Sequence, residues 1–309
     1  MIAKRLVKGD EIRLVAPSKK IDFKKGIVEN FKKEMEKKGF KVTYSKNVEA
    51  VGKWEHSAGT PQQRADDINE AFADQNVKVI WCIQGGSPAN QTLDLLDWDL
   101  IKKNPKLVLG KSDVDVLLLA LNKITSLITI HTCDSKIGNG KEFDFDYTKK
   151  WFKKRLVNGE KEIEPSELWT TIKEGICEGK LIGCNISCIL KLAGTKYFPD
   201  FTDSILFLET YESKIKEILY RIEQYKQNGV FDKIKGLVIG HNYGFEGEKE
   251  DIKVEEIIAE LIDGYGYTFP ILKINEFGHY QPHAFLPIGA KVRVDATNKK
   301  IEILEDFVE

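Results

Sequence analysis

The chain has 309 residues, 42% of them hydrophobic and 31% charged, with a formal net charge of −1. That length exceeds the usual single core and points to two packed domains, and the near-neutral charge leaves no electrostatic footprint for nucleic acid. No apolar stretch approaches the roughly 18 residues needed to cross a membrane, and the first residues lack the apolar core of a signal peptide, so a cytoplasmic protein is expected. The cysteines at 82, 133, 177, 184 and 188 are odd in number and form no C-x-x-C pair. They read as buried free thiols rather than as a disulfide framework or a zinc site.

In chain order, the N-terminal half alternates strand and helix. Glu11 to Ala16 reads as a strand ending in Ala16-Pro17-Ser18, Phe23 to Lys38 has helical spacing, and Lys41 to Ser45 reads as a second strand. This alternation is the start of a doubly wound α/β sheet. Thr60-Pro61-Gln62-Gln63 is a capping-box start for a helix that runs to Phe72. The apolar strand Val77 to Ile83 breaks at Gln84-Gly85-Gly86-Ser87. That glycine pair lacks G-x-G-x-x-G and the Gly-Lys-Ser/Thr ending of a P-loop, so it reads better as a source of backbone N–H groups than as a nucleotide loop.

Leu107 to Leu109 reads as a short buried strand, Gly110 as a sharp turn, and Asp115 to Asn122 as a helix carrying four leucines. Ser112 therefore sits at a strand-to-helix elbow. Such an elbow lifts a hydroxyl above the sheet and aims the first free N–H groups of the helix where an acyl oxyanion would form. Ser112 and Asp113 are equally suited, by residue type, to capping the helix.

The sheet continues through Leu127 to His131, and composition shifts after the charged segment Gly140 to Glu164, which places a domain boundary near 165. The expected units are 1–165 and 166–309. In the second, Ile205 to Leu208 is a strand ending in Glu209, Ser213 to Asn228 a helix, and Gly236 to Gly240 a strand; Pro270 to Ile274 precedes Phe277-Gly278-His279. Lys291 to Asp295 and Ile301 to Leu304 alternate like paired antiparallel strands.

These residues carry a resemblance. Gly59-Thr60 with Arg64, Ala71-Phe72-Ala73-Asp74, Gly85-Gly86, Leu96-Asp97, Asn104-Pro105-Lys106, Gly110-x-Ser112-Asp113, Gly194-Thr195, Leu208-Glu209, Gly278-His279 and Leu286-Pro287-Ile288-Gly289 follow one another in the order of the serine LD-carboxypeptidase family. The chain resembles that family over nearly its whole length. Ala89-Asn90-Gln91, Asp99-Leu100-Ile101 and Pro270-Ile271 resemble the branch containing the microcin C immunity proteins more than the murein-recycling enzymes.

The resemblance implies a flavodoxin-like (class I glutamine amidotransferase-like) parallel-sheet N-terminal domain and a smaller β-rich C-terminal domain, commonly assembled as a homodimer. It implies a triad in which Ser112 attacks, His279 acts as general base and then acid, and Glu209 orients the imidazole. Imidazole suits that exchange near neutrality, and a carboxylate on its far nitrogen fixes the tautomer. The N–H groups of Asp113 and Gly86 are the implied oxyanion hole. Lys111, Ser87 and Trp169 are candidates for contact with substrate; Trp169 and Trp54 could wall a pocket, though large aromatics more often pack in a core or an interface. Neither cofactor nor metal is expected: His56, His131, His241 and His283 form no ligand pair with helical spacing, and Pro282 breaks the segment between His279 and His283.

Three departures from the family surround this site. Lys111 replaces a tyrosine before the nucleophile and Val114-Asp115 replaces Ile-Thr; His131-Thr132-Cys133 stands where Gly-Pro is common; Gly183-Cys184-Asn185 replaces a double glycine before asparagine. Lys111 is expected either to meet a substrate carboxylate or to extend into water. The implied reaction is hydrolysis of the amide joining an L-centre, diaminopimelate or lysine, to the terminal D-alanine of a murein tetrapeptide. The alternatives are cleavage of peptidyl- or aminoacyl-nucleotide antibiotics, and a binding protein that has lost turnover.

Overall fold

The computed structural model describes residues 1–54, 56–245 and 252–309. In the N-terminal half it contains β1 (Glu11–Val15), α1 (Ile27–Lys37), β2 (Lys41–Tyr44), α2 (Pro61–Ala73), β3 (Val77–Cys82), α3 (Trp98–Lys103), β4 (Leu107–Gly110), α4 (Asp115–Thr125), β5 (Thr129–His131) and α5 (Asp146–Phe152). There follow β6 (Glu162–Ile163), β7 (Thr170–Lys173), β8 (Ile176–Asn185), α6 (Ile186–Leu190), β9 (Ser204–Tyr211), α7 (Ile215–Gln227), β10 (Ile234–Tyr243), α8 (Val254–Gly264) and β11 (Ile271–Lys273). The chain ends in β12 (Leu286–Ile288), β13 (Lys291–Asp295) and β14 (Lys300–Ile303).

The architecture is α/β, built on two mixed sheets. The first has the order β12-β5-β4-β3-β1-β2, with β1 to β5 parallel and β12 antiparallel at the edge. The second has the order β6-β14-β13-β8-β9-β10-β11-β7; its centre, β8 to β11, is parallel and is flanked by antiparallel strands. The tail strands β13 and β14 pair antiparallel as their alternation predicts. The first sheet takes its edge strand β12 from the C-terminal part of the chain, while β6, the first strand after α5, edges the second.

Local chemistry accounts for the elements. Thr60 and Gln63 form the reciprocal capping box that starts α2, with Pro61 at its first turn. In α1 the buried positions Ile27, Phe31 and Met35 recur every four residues, one stripe against the sheet. The expected helix from Phe23 is interrupted at Gly26, whose φ of 64° separates a short 3₁₀ turn from α1. In α4, every residue from Val116 to Leu121 is buried because the helix is sandwiched between the sheets, so it has no solvent face to show in its sequence. Trp81, fully buried, packs against Phe31, Phe143, Phe152 and Phe285, so residues distant in sequence share one core. All five cysteines are buried and free. No helix among the described residues is long and apolar enough to cross a membrane.

Arg155 joins that core to the connecting segment. Fully buried, it donates from Nε to the Ala284 carbonyl at 3.2 Å and from Nη2 to the Glu162 carbonyl at 2.8 Å, and also from Nη1 to the Glu160 carbonyl. Arg155→Met retains much of the stem but leaves these carbonyls without a donor. It is expected to lower unfolding free energy by about 3 kcal/mol, measured from urea denaturation midpoints at pH 7.

Candidate active site

The site lies where the carboxyl ends of parallel strands from both sheets face each other, the position at which open α/β sheets gather functional loops. From the first sheet come Ser18 after β1, Gly85-Gly86 after β3 and Ser112 after β4; from the second come Asn185 at the end of β8 and Glu209 near the end of β9. Glu209 lies inside its strand, which continues to Tyr211 rather than stopping at Leu208.

Ser112 has φ 61°, a left-handed conformation uncommon outside glycine, in the 3₁₀ turn Ser112–Val114 that leads into α4. Lys111 and Val114 occupy the N-cap positions of the 3₁₀ turn and α4, without a side-chain capping bond, so Ser112 is not acting as the cap that its residue type permits. The Gly85-Gly86 loop presses on this turn. A β-carbon on Gly85 would lie 2.8 Å from Ser112 Cβ and 3.1 Å from the Asp113 nitrogen, and one on Gly86 would lie 2.6 Å from Ser18 Oγ. Only glycine permits that approach.

Asp113 supplies its backbone to this corner while its buried carboxylate is fully engaged. Oδ2 accepts from Ser18 Oγ at 2.6 Å and from the Ala89 N–H at 2.8 Å, and Oδ1 accepts from Lys191 Nζ at 2.5 Å. Lys191 also donates to the Ser87 carbonyl at 3.3 Å. Ser87 is exposed at the rim, its Oγ 2.5 Å from His56 Nε2.

In the second half of the sequence, His279 Nδ1 is 3.0 Å from Glu209 Oε2, and Asn185 Nδ2 donates to Glu209 Oε1 at 2.8 Å. The turn carrying His279 is sharp. Gly278 has φ 122° with the His241 carbonyl 2.7 Å from where a β-carbon would stand, and Tyr280 has φ 58°. With Nδ1 committed to Glu209, Nε2 is the ring atom left for proton exchange. Burial alone would raise the Glu209 carboxyl, but the charge and hydrogen bond of His279, the Asn185 amide and His131 together hold it down to about 2, against an ordinary 4.5. A second histidine–acid pair lies deeper: His131 Nδ1 is 2.8 Å from Asp115 Oδ1, both side chains sealed from solvent, and Asp115 Oδ2 accepts from the Asn185 N–H at 3.2 Å. The His279 side chain remains 10% exposed, whereas that of His131 is sealed from solvent.

Two expected substrate contacts are corrected. Trp169 is 1% exposed and donates from Nε1 to buried Glu276 at 2.7 Å; it pins the 166–169 segment to the loop before Gly278 and does not wall a pocket. Lys111 is 3% exposed and points neither along a cleft floor nor into water; its Nζ is 2.9 Å from Glu142 Oε1. Trp54 is 82% exposed, with Lys53 over its ring. Sequence reading assigned no role to Glu142, Lys191, Asp115 or His131. Asn185 carried a signal, since it stands beside a departure from the family pattern; Glu142 had none, because its partner is remote in the chain. Among the described residues no group of His, Cys, Asp or Glu is arranged to hold a metal ion.

A strained serine elbow and a buried carboxylate–imidazole pair are the parts that a serine hydrolase requires. Family models agree: one described as the LD-carboxypeptidase N-terminal domain matches residues 12–132, and one described as the C-terminal domain matches residues 178–294. The chain belongs to the LD-carboxypeptidase family, and its activity is that of a serine-type hydrolase. A Treponema pallidum protein with a provisional carboxypeptidase name is 31% identical, over 95% of this chain and 92% of its own. The microcin C7 self-immunity protein MccF of Escherichia coli is 28% identical, over 89% of this chain and 87% of its own. A structure of MccF with aspartyl sulfamoyl adenosine matches all of both chains with a TM-score of 0.88 at 26% identity. A muramoyltetrapeptide carboxypeptidase from Oxalobacter formigenes shares the fold with a TM-score of 0.78 at 23% identity, over 95% of this chain and 97% of its own.

The Glu209 environment sets an acid limit on stability. Because the folded carboxyl titrates below its unfolded value, its contribution is complete above about pH 4.5 and is lost as pH falls toward 2. Urea unfolding in steps from pH 5 to pH 2 should show Glu209→Gln with an acid limb shallower than the parent's by about 3 kcal/mol.

Proposed function

We propose that this protein cleaves the bond between an aminoacyl carbonyl and the nucleotide-bearing nitrogen of peptidyl- or aminoacyl-nucleotide compounds, in the manner suggested by its likeness to MccF. The observation that carries this reading is the match to MccF along the whole chain, including the structure holding aspartyl sulfamoyl adenosine. A second feature supports it. The Tyr211 ring lies 4.4 Å from the His279 ring and stacks on Tyr243, and Tyr211 remains 38% exposed. That gives an aromatic wall to the base, of use to a planar leaving group and of none to D-alanine.

In the proposed mechanism Ser112 Oγ attacks the carbonyl while His279 Nε2 takes its proton. Glu209, held by Asn185, keeps the ring in the required tautomer and balances the imidazolium. The N–H groups of Asp113 and Gly86 receive the developing oxyanion, a role supported by the close approach of the Gly85-Gly86 loop to the elbow. His279 then protonates the leaving nitrogen, and water, deprotonated by the same ring, releases the amino acid from Ser112. We further assign residues 1–165 to a flavodoxin-like unit, supported by the strand order 2-1-3-4-5 of its parallel strands, and residues 166–309 to the C-terminal unit. The five free thiols support a cytoplasmic setting.

Mass-spectrometric turnover of aspartyl sulfamoyl adenosine beside a murein tetrapeptide tests the reading. The expected result is release of aspartate by the parent protein and a loss of roughly three orders of magnitude or more in Ser112→Ala, with circular dichroism unchanged. Turnover confined to the tetrapeptide would transfer the protein to murein recycling, and near-normal turnover by Ser112→Ala would remove the nucleophile assignment.

A further inference from the structure

We infer that Glu142 is a positioning residue that locks the nucleophile elbow to the turn carrying the base. The inference rests on Ser112 and His279 being the reacting pair. Glu142 opens the 3₁₀ turn Glu142–Asp144 in the loop before α5 and is 2% exposed. A single oxygen, Oε1, holds both sides of the site: Lys111 Nζ lies 2.9 Å away and the Tyr280 N–H donates to it at 3.0 Å. Lys111 immediately precedes Ser112 and Tyr280 immediately follows His279. The carboxylate thus connects the chain neighbours of nucleophile and base, which come from opposite halves of the sequence.

Three observations argue that this link does more than hold the fold together. First, both loops it joins are strained, with φ 61° at Ser112 and 58° at Tyr280, and conformations of that kind persist only where surrounding contacts over-determine them. Second, the arrangement is expensive. Among the described residues Glu142 Oε2 has no hydrogen-bond partner, and a buried ion pair with unused capacity is generally no more stabilising than apolar residues of the same size. Third, the pair is specific to this chain's own chemistry: the lysine stands where the resembling family has a tyrosine, and its ammonium is satisfied by a carboxylate from another loop. Burial opposes charge on both groups, yet their mutual attraction keeps Glu142 ionised, with Lys111, His283 and the Tyr280 N–H all favouring the anion. In a low-dielectric interior such a contact resists displacement, and a small shift between nucleophile and base is enough to slow acyl transfer.

The test uses the full chain and a fluorophosphonate probe, whose reaction reads the serine–histidine alignment without depending on which natural substrate is correct. Single substitutions would strand a buried charge, so the primary variant is Lys111→Met/Glu142→Gln, which removes both charges together and leaves an amide oxygen for the Tyr280 N–H. The expected result is a melting temperature within a few degrees of the parent, an unchanged apparent affinity for the probe, and a maximal labelling rate reduced by about tenfold to a hundredfold. Labelling at the parental rate in the folded variant would overturn the inference. Should that variant fail to fold, Glu142→Asp decides the matter, since it keeps the charge but is one methylene too short to hold both partners. A reduced maximal rate with unchanged affinity supports the link, and a parental rate refutes it. If the parent itself is labelled equally with and without Ser112, as judged with Ser112→Ala, then the nucleophile assignment has failed and not the role of Glu142.

Discussion

A carboxylate kept ionised inside the protein is the constraint around which this site is built. Glu209 is 1% exposed, and removing a carboxylate from water costs several kcal/mol unless its oxygens are satisfied. Oε1 takes the Asn185 amide and Oε2 takes His279, so both oxygens are occupied by groups that arrive from other strands and loops. Asn185 in turn donates its backbone N–H to Asp115, which holds His131. The result is a continuous polar path from His279, through the second sheet, to α4 behind Ser112. Each member has its partner because the others are in place, and such networks are costly when half made.

The same logic explains how two sheets produce one site. Polar contacts cross between the halves beside the expected site residues: Lys191 from the end of α6 reaches Asp113 at the elbow, Asn185 reaches Asp115 at the start of α4, and Tyr280 reaches Glu142. The addition of β12 to the edge of the first sheet ties the C-terminal part of the backbone to the N-terminal half. The segments carrying Ser112 and His279 are therefore each held by attachments from elsewhere in the chain.

Much of this was legible in the sequence, for reasons that differ from residue to residue. The capping box at Thr60, the buried strands β3 and β4, and the elbow at Gly110 to Ser112 are local patterns, readable because short-range sterics and hydrophobic period determine them. Glu209 and His279 are not locally distinguishable from ordinary strand-end and loop residues, and only the ordered set of family-like blocks singled them out. Lys111 was misread because lysine ordinarily extends to water, and nothing near it in the chain announces Glu142. For Trp169 residue type favours a core position over a pocket wall, and the chain near it does not announce its partner Glu276 across the fold. The departures at Lys111, Asp115 and His131 looked like separate irregularities. In three dimensions Lys111 is answered by Glu142, and Asp115 and His131 answer each other.

Direct capture of the covalent intermediate tests the central claim, that Ser112 is the nucleophile of a carboxylate-oriented histidine. Rapid acid quench of the protein during turnover of an aminoacyl sulfamoyl nucleoside, followed by proteolysis and peptide mass mapping, reads which side chain carries the acyl group. One added aminoacyl mass is expected on the peptide containing Ser112, accumulating in the parent and absent from His279→Ala. An acyl group on another residue, or turnover with product formed and no acyl-enzyme at any quench time, would contradict it.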